Sequence, residues 1–296
     1  MTSTFPNQPS TGVSGSLAKS PMSPRTLFST VMTVLAFLCG LLALLPLVGV
    51  LSYVIIQGAG SLRPEVFTEL PPGAGRQGGG FGNAIVGTVI MVGIAALISI
   101  PFGVMAAIYL TEFSSVKISR WIRFATNVLS GVPSIIAGVF AYAVVVLTTG
   151  GFSAIAGGAA LSILMLPIIV RTTDESLQLV SQDLRQAAVG LGATNFQTVS
   201  QVVLPAAVPA IVTGATLAIA RASGETAPLL FTAQFYSYWS QSLFQPTASL
   251  AVLVYNFATS AFNNQQSLAW AASLILVLLV LLTSIIARWA TSRQLK

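Results

Sequence analysis

The chain has 296 residues, of which 54% are hydrophobic and only 7% are charged, and its mean hydropathy is +0.85. A soluble domain carries about 25% charged residues, so this composition excludes an ordinary soluble protein and indicates an integral membrane protein. With no histidine and one cysteine, Cys39, a zinc or haem site is not expected. The net charge of +6 does not indicate a nucleic-acid partner, because the cations follow a membrane topology.

The N-terminal part of the chain predicts a tail followed by a membrane helix. Residues 1–26 are rich in Ser, Thr, Pro and Gly, which predicts a disordered cytoplasmic tail. The uncharged run 27–56 is longer than the apolar core of a signal peptide and indicates a retained membrane helix. Residues 58–82 are rich in Pro and Gly and predict an irregular external loop. We therefore divide the chain into this tail, a first helix with its loop (27–82), and a main membrane domain (83–296).

Six segments are long and apolar enough to cross a bilayer, which takes about 20 residues as a helix. They are residues 27–56, 83–110, 121–148, 152–170, 206–233 and 266–289. A further apolar piece, residues 248–262, is too short to span comfortably and is expected to lie near or dip into the surface. The aromatic residues just before it suit an interfacial belt.

The positions of the Lys and Arg residues give these spans one orientation. With the N-terminus in the cytoplasm, ten of these cations lie inside, whereas only Arg63 and Arg76 lie outside and Arg221 lies in the membrane. Cytoplasmic loops carry such an excess, so we expect a multi-pass membrane protein with both termini cytoplasmic. The inside cations are Lys19, Arg25, Lys117, Arg120, Arg123, Arg171, Arg185, Arg288, Arg293 and Lys296.

Two opposite charges, Arg221 and Glu225, interrupt the apolar segment 206–233 and are its only ionisable side chains. An arginine at bilayer depth costs about 2.5–3.5 kcal/mol, so it usually faces a cavity, a substrate or a partner charge. Residues four apart on a helix can also pair with each other. From these residues alone, a structural ion pair, a proton path and a ligand site all remain open.

The longest inner connection, residues 171–205, carries a spaced pattern. We expect two short helices there, the first over 173–190 with a glycine cap, and the second starting at Thr194 or Asn195 and running into the membrane. Taken alone, this is an ordinary cytoplasmic helical hairpin. Its distinctive residues are Gln186, Ala187, Ala188, Gly192, Leu204 and Pro205.

The spacing of these residues resembles the signature loop of the membrane subunits of bacterial ABC importers. That pattern begins with glutamate where this chain has Gln186, which removes one possible acidic contact. The resemblance implies an all-α type I importer permease of the bacterial plasma (inner) membrane, with six transmembrane helices. Its loop would form a coupling helix that docks on a separate ATPase. No Gly-Lys dipeptide, and hence no P-loop, occurs in the sequence. ATP and Mg would accordingly be used by the partner ATPase, and this chain would bind no cofactor and catalyse no reaction itself.

Residues 220–233 resemble the Arg-x-x-Gly-Glu-Thr-Ala-Pro-Leu run of the phosphate-specific importer permeases. The stretches 83–88, 131–138 and 171–175 agree, and the Thr-Ala-Pro ending is closer to the PstA-type than to the PstC-type subunit. The resemblance covers about residues 82–296. It implies an assembly with a PstC-type permease, a PstB-type ATPase dimer and an external PstS-type phosphate-binding protein, working by alternating access in membrane lipid.

In a phosphate importer, Arg221 would attract the anion, because its planar guanidinium matches two phosphate oxygens. Glu225 would temper the charge and accept a hydrogen bond from a phosphate hydroxyl, which sulfate near pH 7 lacks. Ser223 and Thr226 are secondary candidates, since their hydroxyls can bond backbone carbonyls of the preceding turn instead.

Several alternatives remain open at this point. Arg221 and Glu225 could form a gate rather than a ligand site. Another oxyanion, such as sulfate or molybdate, is the nearest rival substrate. An ion-coupled secondary transporter would also bury such a pair, but it has no need of the patterned loop. A membrane enzyme would need a nucleophile or metal constellation, which these few ionisable residues do not offer.

Overall fold

The structure is a computed structural model that describes residues 24–292. Within that range the apolar stretches form helices, and every regular element is a helix. The chain divides after Ser52 into two units. The first unit is the body of α1 (Pro24–Gly60), whose apolar side chains are exposed, as for a helix surrounded by lipid. The predicted tail lies outside the described residues except for Pro24, Arg25 and Thr26, which already belong to α1. Proline is well tolerated in a first helical turn, so the helix begins earlier than predicted.

The second unit contains the remaining helices and an irregular loop with one short 3₁₀ turn, Pro64–Phe67. Five helices, α1 among them, are long and apolar enough to cross a membrane, and the bent pair of α3 and α4 gives a sixth span when the pair is counted as one. This confirms the six-span, all-α prediction. The helices are α2 (Gly82–Phe113), α3 (Val116–Ser130), α4 (Ser134–Thr149), α5 (Ala154–Gln178), α6 (Gln182–Gly190), α7 (Asn195–Ser223), α8 (Ala227–Thr232), α9 (Leu250–Ala258) and α10 (Asn263–Ser292).

The third predicted span, residues 121–148, is not one continuous helix. α3 and α4 meet at 99° across a break of three residues, Gly131, Val132 and Pro133. Proline has no N–H to donate, and the residue before it disfavours the helical backbone, so the helix stops there and restarts in a new direction. α4 therefore does not continue along the axis of α3.

The fifth predicted span, residues 206–233, is also interrupted. α7 ends at Ser223, and residues 224–226 separate it from α8. The Gly224 N–H donates to the carbonyl of Arg221 at 3.1 Å, which closes the last turn of α7. Pro228 is the second residue of α8, where no helical hydrogen bond needs its missing N–H. In the middle of a continuous helix the same proline would remove a backbone hydrogen bond.

The first helix predicted in the inner loop, residues 173–190, is split in two. α5 runs on to Gln178, and α6 begins at Gln182 after a short connection. Ser181 caps α6, because its hydroxyl oxygen accepts the N–H of Leu184 at 3.4 Å. The start predicted for the second helix is confirmed: Thr194 caps α7 in a reciprocal arrangement with Gln197.

The main core forms where α2, α5 and α7 pack together. Its fully buried side chains from α2 and α5 include Met91, Leu161 and Ile169, and α7 contributes Ala218 and Ala222. Small residues on α7 let the helix backbones approach closely, as in other membrane bundles. α7 also packs against α10, and one remaining side of it stays exposed.

A second core surrounds α9, which is too short to span a membrane, as predicted. Leu250, Val252 and Leu253 are fully buried. α9 packs on α10, and its cluster includes Phe81 from the start of α2. Much of the apolar surface of α9 is therefore covered by protein, on α2 and on α10. Its predicted place near the membrane surface stays a prediction.

Candidate translocation and coupling site

Arg221 lies in the last turn of α7, on the side that the core leaves free. Its neighbours Ala218 and Ala222 are 0% and 2% exposed in the main core, whereas the Arg221 side chain is 59% exposed. Because the alanines on either side of Arg221 pack into the core, the arginine side chain points away from it. A guanidinium is thereby presented beside a break between two helices.

Arg221 and Glu225 form a loose pair. The Nε of Arg221 lies 3.6 Å from Oε1 of Glu225, whose side chain is 17% exposed. A charge-assisted hydrogen bond is about 2.7–2.9 Å long, so this contact is an ion pair without a tight hydrogen bond. Within residues 24–292 the guanidinium has no hydrogen-bond partner, so its terminal nitrogens are available.

The two hydroxyl candidates near this pair are placed differently. Ser223 is 2% exposed, and its hydroxyl donates to the carbonyl of Ile219 at 2.8 Å, so its proton is used within α7. This is the backbone-bonded alternative considered for it. Thr226 directly precedes α8, and its carbonyl accepts the N–H groups of Leu229 and Leu230. Ser223 therefore does not join Arg221 as a donor in this conformation.

The chain that follows Glu225 is held by two other stretches that resemble phosphate permeases, residues 131–138 and 83–88. Gly138 lies against Pro228, at the start of α8. Asn83 donates to the carbonyls of Tyr236 and Tyr238 at 3.0 and 3.2 Å. These supporting residues were not predicted as site residues. The sequence pointed to them only because the stretches that contain them resemble the same family.

Thr88 fixes the beginning of α9 in the same region. Its hydroxyl oxygen accepts the N–H of Leu250 at 2.8 Å while its proton goes to the carbonyl of Ala84. All of these groups are buried. Residues 83–88 of α2 therefore hold both ends of the irregular segment between α8 and α9.

The predicted coupling residues occupy two elements. Gln186, Ala187 and Ala188 lie on α6, Gly192 lies in the turn after it, and Leu204 and Pro205 lie inside α7. Gly192 has a φ of +88°, which confirms the left-handed cap expected there. The other glycine of that prediction, Gly190, is the last residue of α6.

The surface around α6 is open and partly apolar. Gln186 and Ala187 are exposed and Ala188 is half-buried. Leu191 and Phe196 are 91% and 71% exposed although they lie in a polar loop. Large apolar side chains are thus exposed beside a short helix, which is unusual for a polar loop.

Two ion pairs lie at the end of the bundle that carries α6. Arg185 of α6 pairs with Glu112 of α2 at 2.5 Å, and Arg123 of α3 pairs with Asp174 of α5 at 2.8 Å. Thr111 also donates to Asp174, at 2.8 Å. The partners are 73 and 51 residues apart in the sequence, so the cations could be placed by topology but not matched to their acids.

Solved structures share this fold. A bacterial alginate ABC transporter, solved with a pentasaccharide-bound periplasmic protein, matches with a TM-score of 0.65 and 12% identity over 93% of this chain and 98% of that chain. The inward-facing MetNI methionine ABC transporter matches with a TM-score of 0.57 and 20% identity, over 72% and 93% of the two chains.

Several relatives are more similar in sequence. The phosphate transport system permease protein PstA of Yersinia pestis is 41% identical over 86% of this chain and 87% of its own length. The protein of that name from Xylella fastidiosa is 43% identical over 79% and 82%. PstA 1 of Mycobacterium tuberculosis is 36% identical over 86% of each chain.

A multi-pass helical bundle with charges at a helix break and an exposed helix in its longest polar loop defines a membrane permease subunit of the ABC-importer type. The family described as "Binding-protein-dependent transport system inner membrane component" matches residues 99–296, more than half of the chain. The chain belongs to this family and, within it, to the phosphate transport permeases of the PstA type. These relatives are named as transport subunits, in agreement with the expectation that this chain is not an enzyme.

Proposed function

We propose that this chain is one of two permease subunits of an ATP-driven phosphate importer and forms half of the translocation pathway. The observation that carries the proposal is the guanidinium of Arg221, which is only loosely paired with Glu225 at the break between α7 and α8, in a chain 36–43% identical to phosphate permeases. Transporters commonly place substrate sites where a membrane helix is broken.

Arg221 supplies the attraction for the anion. Its Nε makes the recorded contact with Glu225, and no hydrogen bond engages its terminal nitrogens within residues 24–292, so these two nitrogens can donate to two phosphate oxygens in a bidentate contact. The charge of arginine is effectively permanent, so the site keeps its attraction across the physiological pH range. Such an interaction also offsets part of the cost of an arginine at bilayer depth.

Glu225 supplies selectivity in this proposal. Its carboxylate repels a fully ionised anion but accepts a hydrogen bond from the hydroxyl of hydrogen phosphate or dihydrogen phosphate. Sulfate has no such proton near pH 7. The distance of 3.6 Å between Arg221 and Glu225 lets each contact the ligand without first breaking a tight bond between them. Thr226 adds a hydroxyl next to this pair.

The assembly around the permease follows the PstA resemblance. A PstC-type permease completes the pathway, a PstB-type ATPase dimer binds ATP and Mg, and an external PstS-type protein delivers phosphate. This chain binds no cofactor. Gln186, Ala187, Ala188, Gly192 and the exposed apolar residues beside them form the docking surface for the ATPase. This surface and both termini are cytoplasmic, consistent with the excess of cations on that side.

Competition in vesicles tests the substrate. The complete importer is reconstituted, and uptake of labelled phosphate is measured with excess unlabelled phosphate, sulfate or molybdate. Only unlabelled phosphate is expected to suppress uptake. Suppression by sulfate or molybdate at equal concentration would instead identify a permease for that oxyanion, and uptake driven by an ion gradient without ATP would identify a secondary transporter.

The variant Arg221→Gln separates ligand binding from gating. If Arg221 holds the anion, uptake is lost while the assembled complex still hydrolyses ATP. If the pair is a gate, transport and phosphate-stimulated hydrolysis are lost together. Wild-type uptake by this variant would contradict both roles. Copurification of all subunits with the variant serves as the control for assembly.

A further inference from the structure

α6 packs against the start of α7, and one charged side chain, Arg185, joins it to α2 and α5. None of its residues is fully buried, but the side chain of Arg185 is only 14% exposed, and it points toward the ends of α2 and α5. The connections on both sides of α6 are short, residues 179–181 and 191–194, and the second contains Gly192 in its left-handed conformation. α6 is thus joined to the rest of the chain by two short connections, and the contacts of its side chains link it directly to α2 and α5.

The contacts of Arg185 reach two membrane helices at once. Its Nη1 donates to both carboxylate oxygens of Glu112, at 2.5 and 2.6 Å, and its Nη2 donates to the carbonyl of Leu177 at 2.7 Å. Glu112 is only 10% exposed. A charge pair withdrawn from water in this way depends on both members, because either one alone is left buried and uncompensated.

Glu112 lies in a specialised turn. The end of α2, Tyr109–Phe113, is a π-helical turn, a feature that often marks functional sites. Within this turn Thr111 donates to Asp174 of α5, which is in turn held by two hydrogen bonds from Arg123 of α3. Two consecutive residues thus join α2 to the bundle on one side and to α6 on the other.

We propose that Arg185 and Glu112 are positioning residues that carry the displacement of α6 into α2. α2 packs along α5 and ends, at its other terminus, in the residues that hold the segment between α8 and α9. A displacement of α6 therefore reaches the chain that follows Glu225 through one continuous helix, α2. The inference rests on the proposed function in one respect, namely that an ATPase docks on α6.

The test uses the complete importer in vesicles, with Arg185→Gln, with Glu112→Gln and with the exchange Glu112→Arg plus Arg185→Glu. Two quantities are measured: the amount of ATPase that copurifies, and the phosphate transported per ATP hydrolysed. Each single variant is expected to retain the ATPase while the transport ratio falls about tenfold, a coupling loss typical of linked sites. The exchange is expected to restore most of the ratio, which shows that the pairing itself is needed. Retention of the ATPase by both single variants separates a loss of coupling from a loss of structure.

Arg120→Gln is the control, because Arg120 is an exposed cation on α3 near the same end of the bundle. The inference is overturned if both single variants transport with the wild-type ratio, if the exchange recovers nothing, or if Arg185→Gln releases the ATPase, since Arg185 would then act in docking itself. Failure of the wild-type permease to retain any ATPase would count against the proposed function instead.

Discussion

Gly138 of α4 lies directly against the backbone of Pro228 in α8: a β-carbon added to Gly138 would fall 2.6 Å from the Cα of Pro228. Side-chain carbons do not approach a backbone that closely, so this packing needs glycine. The contact fixes the start of α8 just after Glu225. A residue far from Arg221 in the sequence thus sets where the chain goes after the charged pair.

Gly138→Ala should therefore disturb the pathway. The added methyl group forces α4 and α8 apart, at a cost of about 1–3 kcal/mol for overpacking. We expect a lower denaturant midpoint of the purified permease pair and reduced phosphate uptake. Gly93→Ala is the matched control, since nothing lies within 4 Å of a β-carbon there. Equal behaviour of the two variants would show that the Gly138 contact is not needed.

The fold was predictable in its spans and less so in its breaks. Long apolar runs fix where helices cross, because an unpaired backbone is too costly in lipid. The breaks at Pro133 and Gly224 depend on one proline or glycine whose effect the packing decides. Prolines such as Pro101 and Pro167 lie inside continuous helices of the same protein. The residue type alone therefore did not separate a break from an uninterrupted helix.

The turn after α6 offers a test of backbone strain. Gly192 has a φ of +88°, whereas Gly190 belongs to the helix, and neither would bring a β-carbon within 4 Å of another group. Gly192→Ala should destabilise the permease pair by about 1–2 kcal/mol, the cost of a left-handed conformation. Gly190→Ala should be neutral or stabilising, since alanine favours a helix. Denaturant unfolding of the permease pair alone measures both, and a neutral Gly192→Ala would contradict the assigned cap.

Thr88 should be required for its hydroxyl rather than its shape. Thr88→Val keeps the volume but leaves the buried N–H of Leu250 without its acceptor, at a cost of about 1–3 kcal/mol. Thr88→Ser keeps the hydroxyl and should retain most of the stability. Thermal unfolding of the complex compares the two variants. Similar losses in both would mean that methyl packing, and not the hydrogen bond, holds α9.

The residues of the candidate site could be predicted where their charge stands out in an apolar segment. Arg221 and Glu225 are conspicuous because the segment around them has no other charge. Glu112 and Arg185 have no such contrast: each lies in a polar stretch where charges are ordinary, and 73 residues separate them. Only the fold brings the two side chains together, so the contact between α2 and α6 could not be inferred from spacing.

Two adjacent carboxylates, Asp174 and Glu175, should differ sharply in importance. Asp174 is 9% exposed and accepts two hydrogen bonds from Arg123, whereas Glu175 is 59% exposed and faces an equally exposed Arg171. Asp174→Asn should destabilise the permease pair by about 1.5–3 kcal/mol, since bonds to a charged group are lost. Glu175→Gln should change the stability by less than about 1 kcal/mol, as for other solvent-exposed pairs. Denaturant midpoints of the two variants, measured in the same detergent, decide the matter: an equal loss would mean that the link from α3 to α5 is no stronger than a surface pair.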